Sequence, residues 1–236
     1  MHAPASTAPT SPNCSPPVEP PSTASPPQPR LGDGIRLLCG SGRRRVSEAQ
    51  WALSGRGGRI FGVSTFVALL RAVNLGSHAR LPMARLREML GELGWQQPRT
   101  YLQSGNAVFT APLAADEVAV SLREKLSADG LDTEVMIRPG DHLRALAAAG
   151  HPFAAPGVEH PKLQVAFPLH PVDARRVAAM PVPGGEAARA ADGEVFLHYP
   201  DGVGRSKLTT AHLQRHLGTP VTCRNWKTVC ALAQMC

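Results

Sequence analysis

Four polar segments of the chain carry residue types that can bind an anion. Gly204-Arg205-Ser206-Lys207 stands between a predicted strand and a predicted helix, with Ser206 as the expected N-cap. A helix start presents unpaired backbone N–H groups and a partial positive charge, and a nearby glycine lets an anion approach the backbone. Arg224 could supply a bidentate grip on a phosphate or carboxylate. The predicted ligand-binding residues are Arg71, Asn74, Gly76, Gln103, Ser104, Asn106, Gly204, Arg205, Ser206, Lys207, Arg224 and Asn225.

The same residue types also have a purely structural explanation. Asn, Ser and Gly are common in tight turns because their side chains bond the local backbone or leave it free to bend. The glycines between residues 202 and 207 do not have the spacing of a Walker A loop. A capped surface helix with solvated basic residues would account for that segment equally well. The predicted site therefore requires that the four segments converge in the folded chain.

Metal and covalent chemistry find little support in the sequence. His212 and His216 are four residues apart on a predicted helix, but the segment lacks the glutamate of the HExxH motif, and Arg215 would repel a cation. No Ser–His–Asp or Cys–His arrangement is readable, so we expect no metal and no cofactor. If the protein is an enzyme, which the sequence leaves open, electrostatic stabilisation by the residues above is the mechanism they indicate.

The elements that carry these segments form two similar sets. Residues 63–138 predict strand, helix, strand, strand, helix, strand, which is the ferredoxin-like order. Residues 139–161 predict a short helix and a connecting loop. Residues 162–236 repeat the ferredoxin-like order and add a helix from Trp226. The predicted fold class is α+β, with two tandem ferredoxin-like (βαββαβ) halves and a C-terminal helix. The predicted strands are Phe66–Arg71, Thr100–Gln103, Asn106–Thr110, Thr133–Arg138, Leu163–Phe167, Ala187–Ala191, Glu194–Tyr199 and Val221–Cys223, and the longer helices include 82–93, Asp116–Asp129, Pro171–Ala179 and Ser206–Leu217.

Three stretches of the sequence resemble the bacterial family called domain of unknown function (DUF) 1697. They are FVALLRAVNLG with TYLQSGNAVF in the first half, LHYPDGVGRSKL, and CRNWKTV before the terminal helix. The resemblance covers most of residues 63–236 and implies a fold but no reaction. Ala72 stands where the family usually has glycine, so we expect a negative φ there.

Residues 1–62 differ in composition from the rest of the chain. They are rich in Pro, Ser, Ala and Arg, which predicts a disordered leader. Because the family-like part begins at Val63 and a GTG codon can serve as a start, the leader is hypothesised to be an over-extended gene model. Seven arginines and three acidic residues precede Val63, so the overall charge of +7 leaves only +3 for the remainder.

Charge, hydropathy and cysteine spacing narrow the class of protein. A balance of +3 is well below that of typical nucleic-acid-binding domains. No segment is long and apolar enough for a membrane span or a secretory signal. Five cysteines without a CxxC pair indicate free thiols, and hence a cytoplasmic protein.

Three functions remain, in this order. The first is a cytosolic protein that binds an anionic small molecule, such as a nucleotide or another phosphorylated metabolite. The second is a homodimeric structural or interaction domain that pairs through a sheet face or edge. The third is a nucleic-acid-binding module, since ferredoxin-like sheets can stack bases on aromatic side chains. Phe109 is the only aromatic in the segment SGNAVFTA, which makes the third function the least favoured.

Overall fold

The computed structural model describes residues 62–74 and 80–236. Gly76 and the predicted leader up to residue 61 lie outside the described residues. The first set of elements is β1 (Ser64–Leu70), α1 (Met83–Glu92), β2 (Gln96–Thr100), β3 (Asn106–Ala111), α2 (Ala115–Ala128), β4 (Val135–Pro139) and α3 (Gly140–Ala149). The second set is β5 (Leu163–Pro168), α4 (Ala174–Ala178), β6 (Ala187–Ala191), β7 (Glu194–His198), α5 (Thr210–Leu217), β8 (Val221–Asn225) and α6 (Trp226–Met235).

Each set forms one four-stranded antiparallel sheet. The strand order is β2-β3-β1-β4 in the first sheet and β6-β7-β5-β8 in the second, which is the ferredoxin-like order in both. The predicted α+β class with two ferredoxin-like halves and a C-terminal helix is confirmed. α3 follows the first sheet as α6 follows the second, so both sets end in a helix. None of the helices in the described part of the chain is long and apolar enough to cross a membrane.

Three apolar clusters account for the packing of the two sheets. One face of the first sheet, with Phe66 and Phe109, packs against α1 and α2. One face of the second sheet, with Leu197, packs against α4 and α5. The remaining faces of both sheets, with Val67 and Val165, share a central cluster with α3 and α6. Alternation of side chains along each strand therefore places apolar residues on both faces, and both faces are covered.

Three predicted elements differ from the observed ones by three or more residues at one end, and the others differ by two at most. The predicted strand Thr100–Gln103 was wrong except at its first residue: β2 is Gln96–Thr100, and the residues after it form a turn in which the Asn106 side chain donates to Tyr101 O at 2.8 Å. α4 is shorter at both ends than the predicted helix 171–179. α5 begins at Thr210 instead of Ser206, because Thr209 is its N-cap.

The backbone at Ala72 also differs from the prediction. Its φ is +53°, in the left-handed region that an alanine enters only at a cost. The expectation of a negative φ at this position was therefore wrong. Neighbouring backbone contacts explain how the turn is held: Leu70 N–H donates to Gly105 O at 2.8 Å, and Arg71 N–H donates to Glu134 O at 2.9 Å.

Candidate functional site

Arg224 joins the two halves through its guanidinium group. The side chain lies on β8 and is buried, with the whole residue 7% exposed. All five of its N–H groups are directed at protein oxygen atoms. The main acceptors are Asn106 Oδ1 at 2.5 Å, Thr222 Oγ1 at 2.6 Å, Leu70 O at 2.8 Å, Cys223 O at 2.9 Å and Ser104 O at 3.0 Å.

This arrangement assigns Arg224 a different role from the predicted grip on an anion. A bidentate contact with a ligand would require two of these bonds to break. Burial lowers the pKa of Arg224 to about 10, which still leaves the group protonated at neutral pH. Its acceptors are neutral amide, hydroxyl and carbonyl oxygens, so the positive charge is balanced by dipoles rather than by a carboxylate. Arg224 therefore holds β8 of the second half against the ends of β1 and β3.

Asn74 and the hairpin residues are bonded to one another. Asn74 Nδ2 donates to Gln103 O at 2.7 Å and to Leu81 O at 2.8 Å, and Leu81 N–H donates back to Asn74 Oδ1 at 2.8 Å. Asn106 Nδ2 donates to Ser104 Oγ at 3.0 Å. The loop after β1, the turn between β2 and β3, and Arg224 thus form one connected network. The polar side chains in it shape turns, as the structural explanation of these residue types requires.

Arg71 lies beside this network at the end of β1. Its Nε donates to Gln214 Oε1 on α5 at 2.9 Å, and its backbone oxygen accepts from Thr133 Oγ1 at 2.5 Å. Within the described part of the chain, its guanidinium makes no ion pair with a carboxylate. Arg71 therefore bridges the two halves through a neutral partner, like Arg224.

Asn225 lies next to Arg224 in the chain but has different contacts. It is the N-cap of α6, where its Oδ1 accepts from Thr228 N–H at 2.8 Å. It also lines an open cavity of about 620 Å³ together with the turn at Gly202 and Val203. The remaining lining residues are Glu159, Pro161, Lys162, Gln164, Pro200 and Asp201. Asn225 is thus the one predicted residue in the described lining, and Gly204–Lys207 follow directly after the turn at Val203.

Ser206 anchors the loop that leads away from the cavity. Its Oγ donates to Glu186 Oε1 at 2.5 Å and accepts from Leu208 N–H at 2.9 Å. The expectation that Ser206 caps a helix was wrong, because the hydroxyl is bonded within the loop and α5 begins four residues later. Gly204, Arg205 and Lys207 are exposed on either side of this anchor.

The predicted residues thus fall into two adjoining groups. The first is the network at the junction of the halves, with Arg71, Asn74, Gln103, Ser104, Asn106 and Arg224. The second consists of Asn225, which lines the cavity, and of Gly204, Arg205, Ser206 and Lys207 in the loop that follows the cavity. The groups meet where Arg224 and Asn225 follow each other on β8.

Sequence reasoning missed Lys162, Glu159 and Asp201, which put charges of both signs at the cavity. Lys162 Nζ lies 3.9 Å from Glu159 Oε2, at the outer limit of an ion pair. Both residues belong to the segment Glu159-His160-Pro161-Lys162, which matches no binding motif. The signal that could have found them is the repeat itself, since a loop that enters the first strand of a half lies close to the end of that half's last strand.

His212 and His216 lie on adjacent turns of α5, with ring centroids 4.4 Å apart. His212 Nε2 is 2.7 Å from Pro181 O, so this nitrogen carries the hydrogen and donates it to the backbone oxygen. The described residues contain no group of three or more His, Cys, Asp or Glu side chains positioned to hold a metal ion.

Comparison with known families agrees with the fold and the motifs. The family model described as "Protein of unknown function (DUF1697)" matches residues 63–196, which is more than half of the chain. The chain belongs to the DUF1697 family. The match ends within β7, so the cavity loop and Arg224 lie beyond it.

One solved structure and the curated proteins complete the comparison. The chain is similar to the conserved bacterial protein SP0830 from Streptococcus pneumoniae, with a TM-score of 0.59 and 20% sequence identity. The alignment covers 74% of this chain and 99% of that one. At this identity the likeness shows the fold alone. No curated protein matches the chain.

Proposed function

We propose that this DUF1697 protein binds an anionic small molecule, a nucleotide or another phosphorylated metabolite, in the cytoplasm. The observation that supports the proposal is the open cavity of about 620 Å³ that brings together Lys162, the Gly202–Val203 turn and the N-terminal end of α6 at Asn225. Cys223 and Cys236 are thiols, which suits a reducing compartment.

The positive charge at this cavity comes from sources that remain available to a ligand. Lys162 is only loosely paired with Glu159, and an ammonium group is a common partner for phosphate. Arg205 and Lys207 are exposed on the loop that begins at the cavity, and neither forms an ion pair within the described part of the chain. The helix end adds about 0.3–1 kcal/mol for an anion. Arg224 contributes rigidity to β8 instead of a ligand contact.

The carboxylates of Glu159 and Asp201 also line the cavity, which constrains the ligand. A bare dianion would be repelled by them, whereas hydroxyl or amino hydrogens could donate to their oxygens. A phosphorylated metabolite with hydroxyl groups, such as a sugar phosphate or a nucleotide, can place its phosphate near the positive charge of Lys162 and its hydroxyl groups near the carboxylates. Val203 is 46% exposed at the same cavity and offers an apolar surface for a ring.

Thermal-shift titration tests the proposal with inorganic phosphate, ATP and glucose 6-phosphate as probes. We expect a saturable rise in Tm with at least one organic phosphate and its loss in Lys162→Glu. The matched control is Arg175→Glu, which makes the same charge change on an exposed residue of α4 away from the cavity. Equal responses of the two variants, or no rise with any probe, would refute the proposal.

The two other candidate functions have less support from the geometry. Base stacking on a ferredoxin-like sheet needs an exposed sheet face, whereas both faces of each sheet here are covered by helices. Pairing of two copies through the edge of β4 is opposed by Pro139 and by Arg138, whose Nη1 donates to Ile137 O at 3.0 Å on that strand. Gel shifts at varied salt and sedimentation velocity would detect these alternatives.

A further inference from the structure

A second polar cluster lies between the halves, away from the cavity at Lys162. Glu194, the first residue of β7, is 1% exposed although its side chain is a carboxylate. Arg138 at the end of β4 donates to both carboxylate oxygens, from Nε to Oε1 at 2.6 Å and from Nη2 to Oε2 at 3.2 Å. His142 in the first turn of α3 places Nε2 3.0 Å from the same Oε1. Buried carboxylates are rare unless they are paired in this way.

The contact with Glu194 fixes the protonation pattern of the His142 ring. A carboxylate oxygen only accepts hydrogen bonds, so Nε2 carries the hydrogen and Nδ1 is left as an acceptor when the ring is neutral. Nδ1 has no hydrogen-bond partner among residues 62–74 and 80–236. The His142 side chain is 27% exposed, in contrast to Glu194. The buried carboxylate thus orients a partly exposed ring acceptor.

A purely structural contact between the halves would not need the histidine. Arg138 already supplies one donor to each carboxylate oxygen, and its Nη2 also donates to Pro168 O at 2.7 Å. The guanidinium is held further by the Phe167 ring, with Cζ 5.8 Å from the ring centroid. His142 adds a third donor to the carboxylate, in which each oxygen already accepts one bond from Arg138.

His142 lines a cavity of about 270 Å³ with mostly apolar walls. Among the walls are Pro139, Pro168, Leu169, Pro171 and Gly193. The volume is at the small end of ligand-binding cavities, so a fragment-sized molecule would fill it. Glu194 and Asp192 also line it, which disfavours an anionic ligand. Arg138 also lines the cavity but is bonded to Glu194, so the acceptors offered to a neutral ligand are His142 Nδ1 and the exposed carboxylate of Asp192.

We propose that this cavity is a second ligand site, which takes a small, largely apolar molecule with one O–H group, of the alcohol or phenol class. The O–H group donates to His142 Nδ1, Glu194 holds the ring in the Nε2–H tautomer, and the proline-rich walls contact the apolar part of the ligand. The site is independent of the phosphate-binding cavity, because the two share no lining residue.

Nuclear magnetic resonance of the full chain with ¹⁵N-labelled histidine tests the proposal, with phenol as the probe. We expect the neutral His142 ring to be the Nε2–H tautomer and its Nδ1 resonance to shift saturably as phenol is added. The backbone amide of Gly193 should report the same binding curve in uniformly labelled protein. A His142 ring that carries its hydrogen on Nδ1, or the absence of a saturable shift, would overturn the proposal.

Variants separate the ligand site from a structural clamp. His142→Phe leaves both oxygens of Glu194 bonded to Arg138, so the chain should fold, and the Gly193 response to phenol should be lost. His142→Gln keeps a donor for Glu194 and should weaken binding about fivefold, the effect of one neutral hydrogen bond. His170→Phe, at an exposed histidine outside this cavity, is the matched control and should leave binding unchanged. An unaltered Gly193 response in His142→Phe would also overturn the proposal.

Discussion

Replacing Arg224 with methionine is expected to lower the free energy of unfolding by about 2 kcal/mol. Among the described residues, the fully buried Asn106 Oδ1 would lose its donor, whereas Ser104 is exposed, so water can replace the donor to its backbone oxygen. Two others keep a partner, because Leu70 O still accepts from Thr222 and Gly105 O still accepts from Leu70 N–H. A buried acceptor without a partner costs roughly 1–3 kcal/mol, and Asn106 Oδ1 alone gives the stated value.

The loss should be visible as a lower midpoint of thermal unfolding. For a domain of this size, 1 kcal/mol corresponds to about 2–4 °C, so Arg224→Met should melt about 6 °C below the natural sequence. Arg224→Lys keeps the charge but has three donors in place of five, and it should recover part of the difference. Arg175→Met, on the exposed surface of α4, is the control and should melt within about 1 °C of the natural sequence.

A double-mutant cycle distinguishes the network from a general effect of the substitution. Asn106→Ala removes the acceptor that Arg224 Nε contacts, so the coupling energy between the two changes should exceed about 1 kcal/mol. Removal of the buried charge itself should raise the free energy of unfolding, since apolar replacements of buried charges are often neutral or stabilising. Arg224→Met with unchanged stability in urea and heat would therefore refute the assignment of Arg224 as the group that holds the halves together.

Two further predictions concern single residues. Gly105→Ala should destabilise the protein by about 3 kcal/mol, because a Cβ there would lie 2.4 Å from Val73 Cγ2 and 2.8 Å from Leu70 Cβ. Gly130→Ala is the control: no atom of the described residues lies within 4 Å of its Cβ, so it should cost only the positive-φ penalty of about 1 kcal/mol. Urea denaturation measures both losses, and equal losses would contradict the steric explanation. Burial lowers the pKa of His151, so the unfolded chain binds the proton more readily; stability should fall as the pH drops through the ordinary histidine pKa of about 6.5, and His151→Asn should reduce this dependence when unfolding is measured between about pH 7 and pH 5.

The order of elements was predictable from local patterns because most signals here are strong. The helix face from Met83 to Leu90, the left-handed glycine at Gly94 and the two-residue turn at Asp192-Gly193 all occur as the sequence indicates. The start of α5 was not predictable in the same way. Ser206 has the side chain of an N-cap, but its hydroxyl is taken by Glu186, a residue 20 positions away.

The candidate sites depend on contacts that no local pattern contains. The buried state of Arg224 follows from the approach of β8 to the ends of β1 and β3, more than 100 residues apart in the chain. Lys162 was overlooked because its neighbours form no motif, and its position at the cavity follows from the pairing of β5 with β8. Glu194 resembles an ordinary surface residue after a hairpin turn until Arg138 and His142 of the first half cover it. The sequence indicated which side chains could bind an anion, but it did not indicate which of them are already bonded within the protein.

The central apolar cluster, to which both sheets contribute together with α3 and α6, has a consequence for cleavage of the chain. The segment around Ala154–Gly157 is exposed, and a protease cut there would break the covalent link between the two halves. Each fragment would still present one uncovered half of the cluster to the other. The two fragments should therefore reassociate when mixed, and a nicked molecule should run as an intact particle until a denaturant parts it.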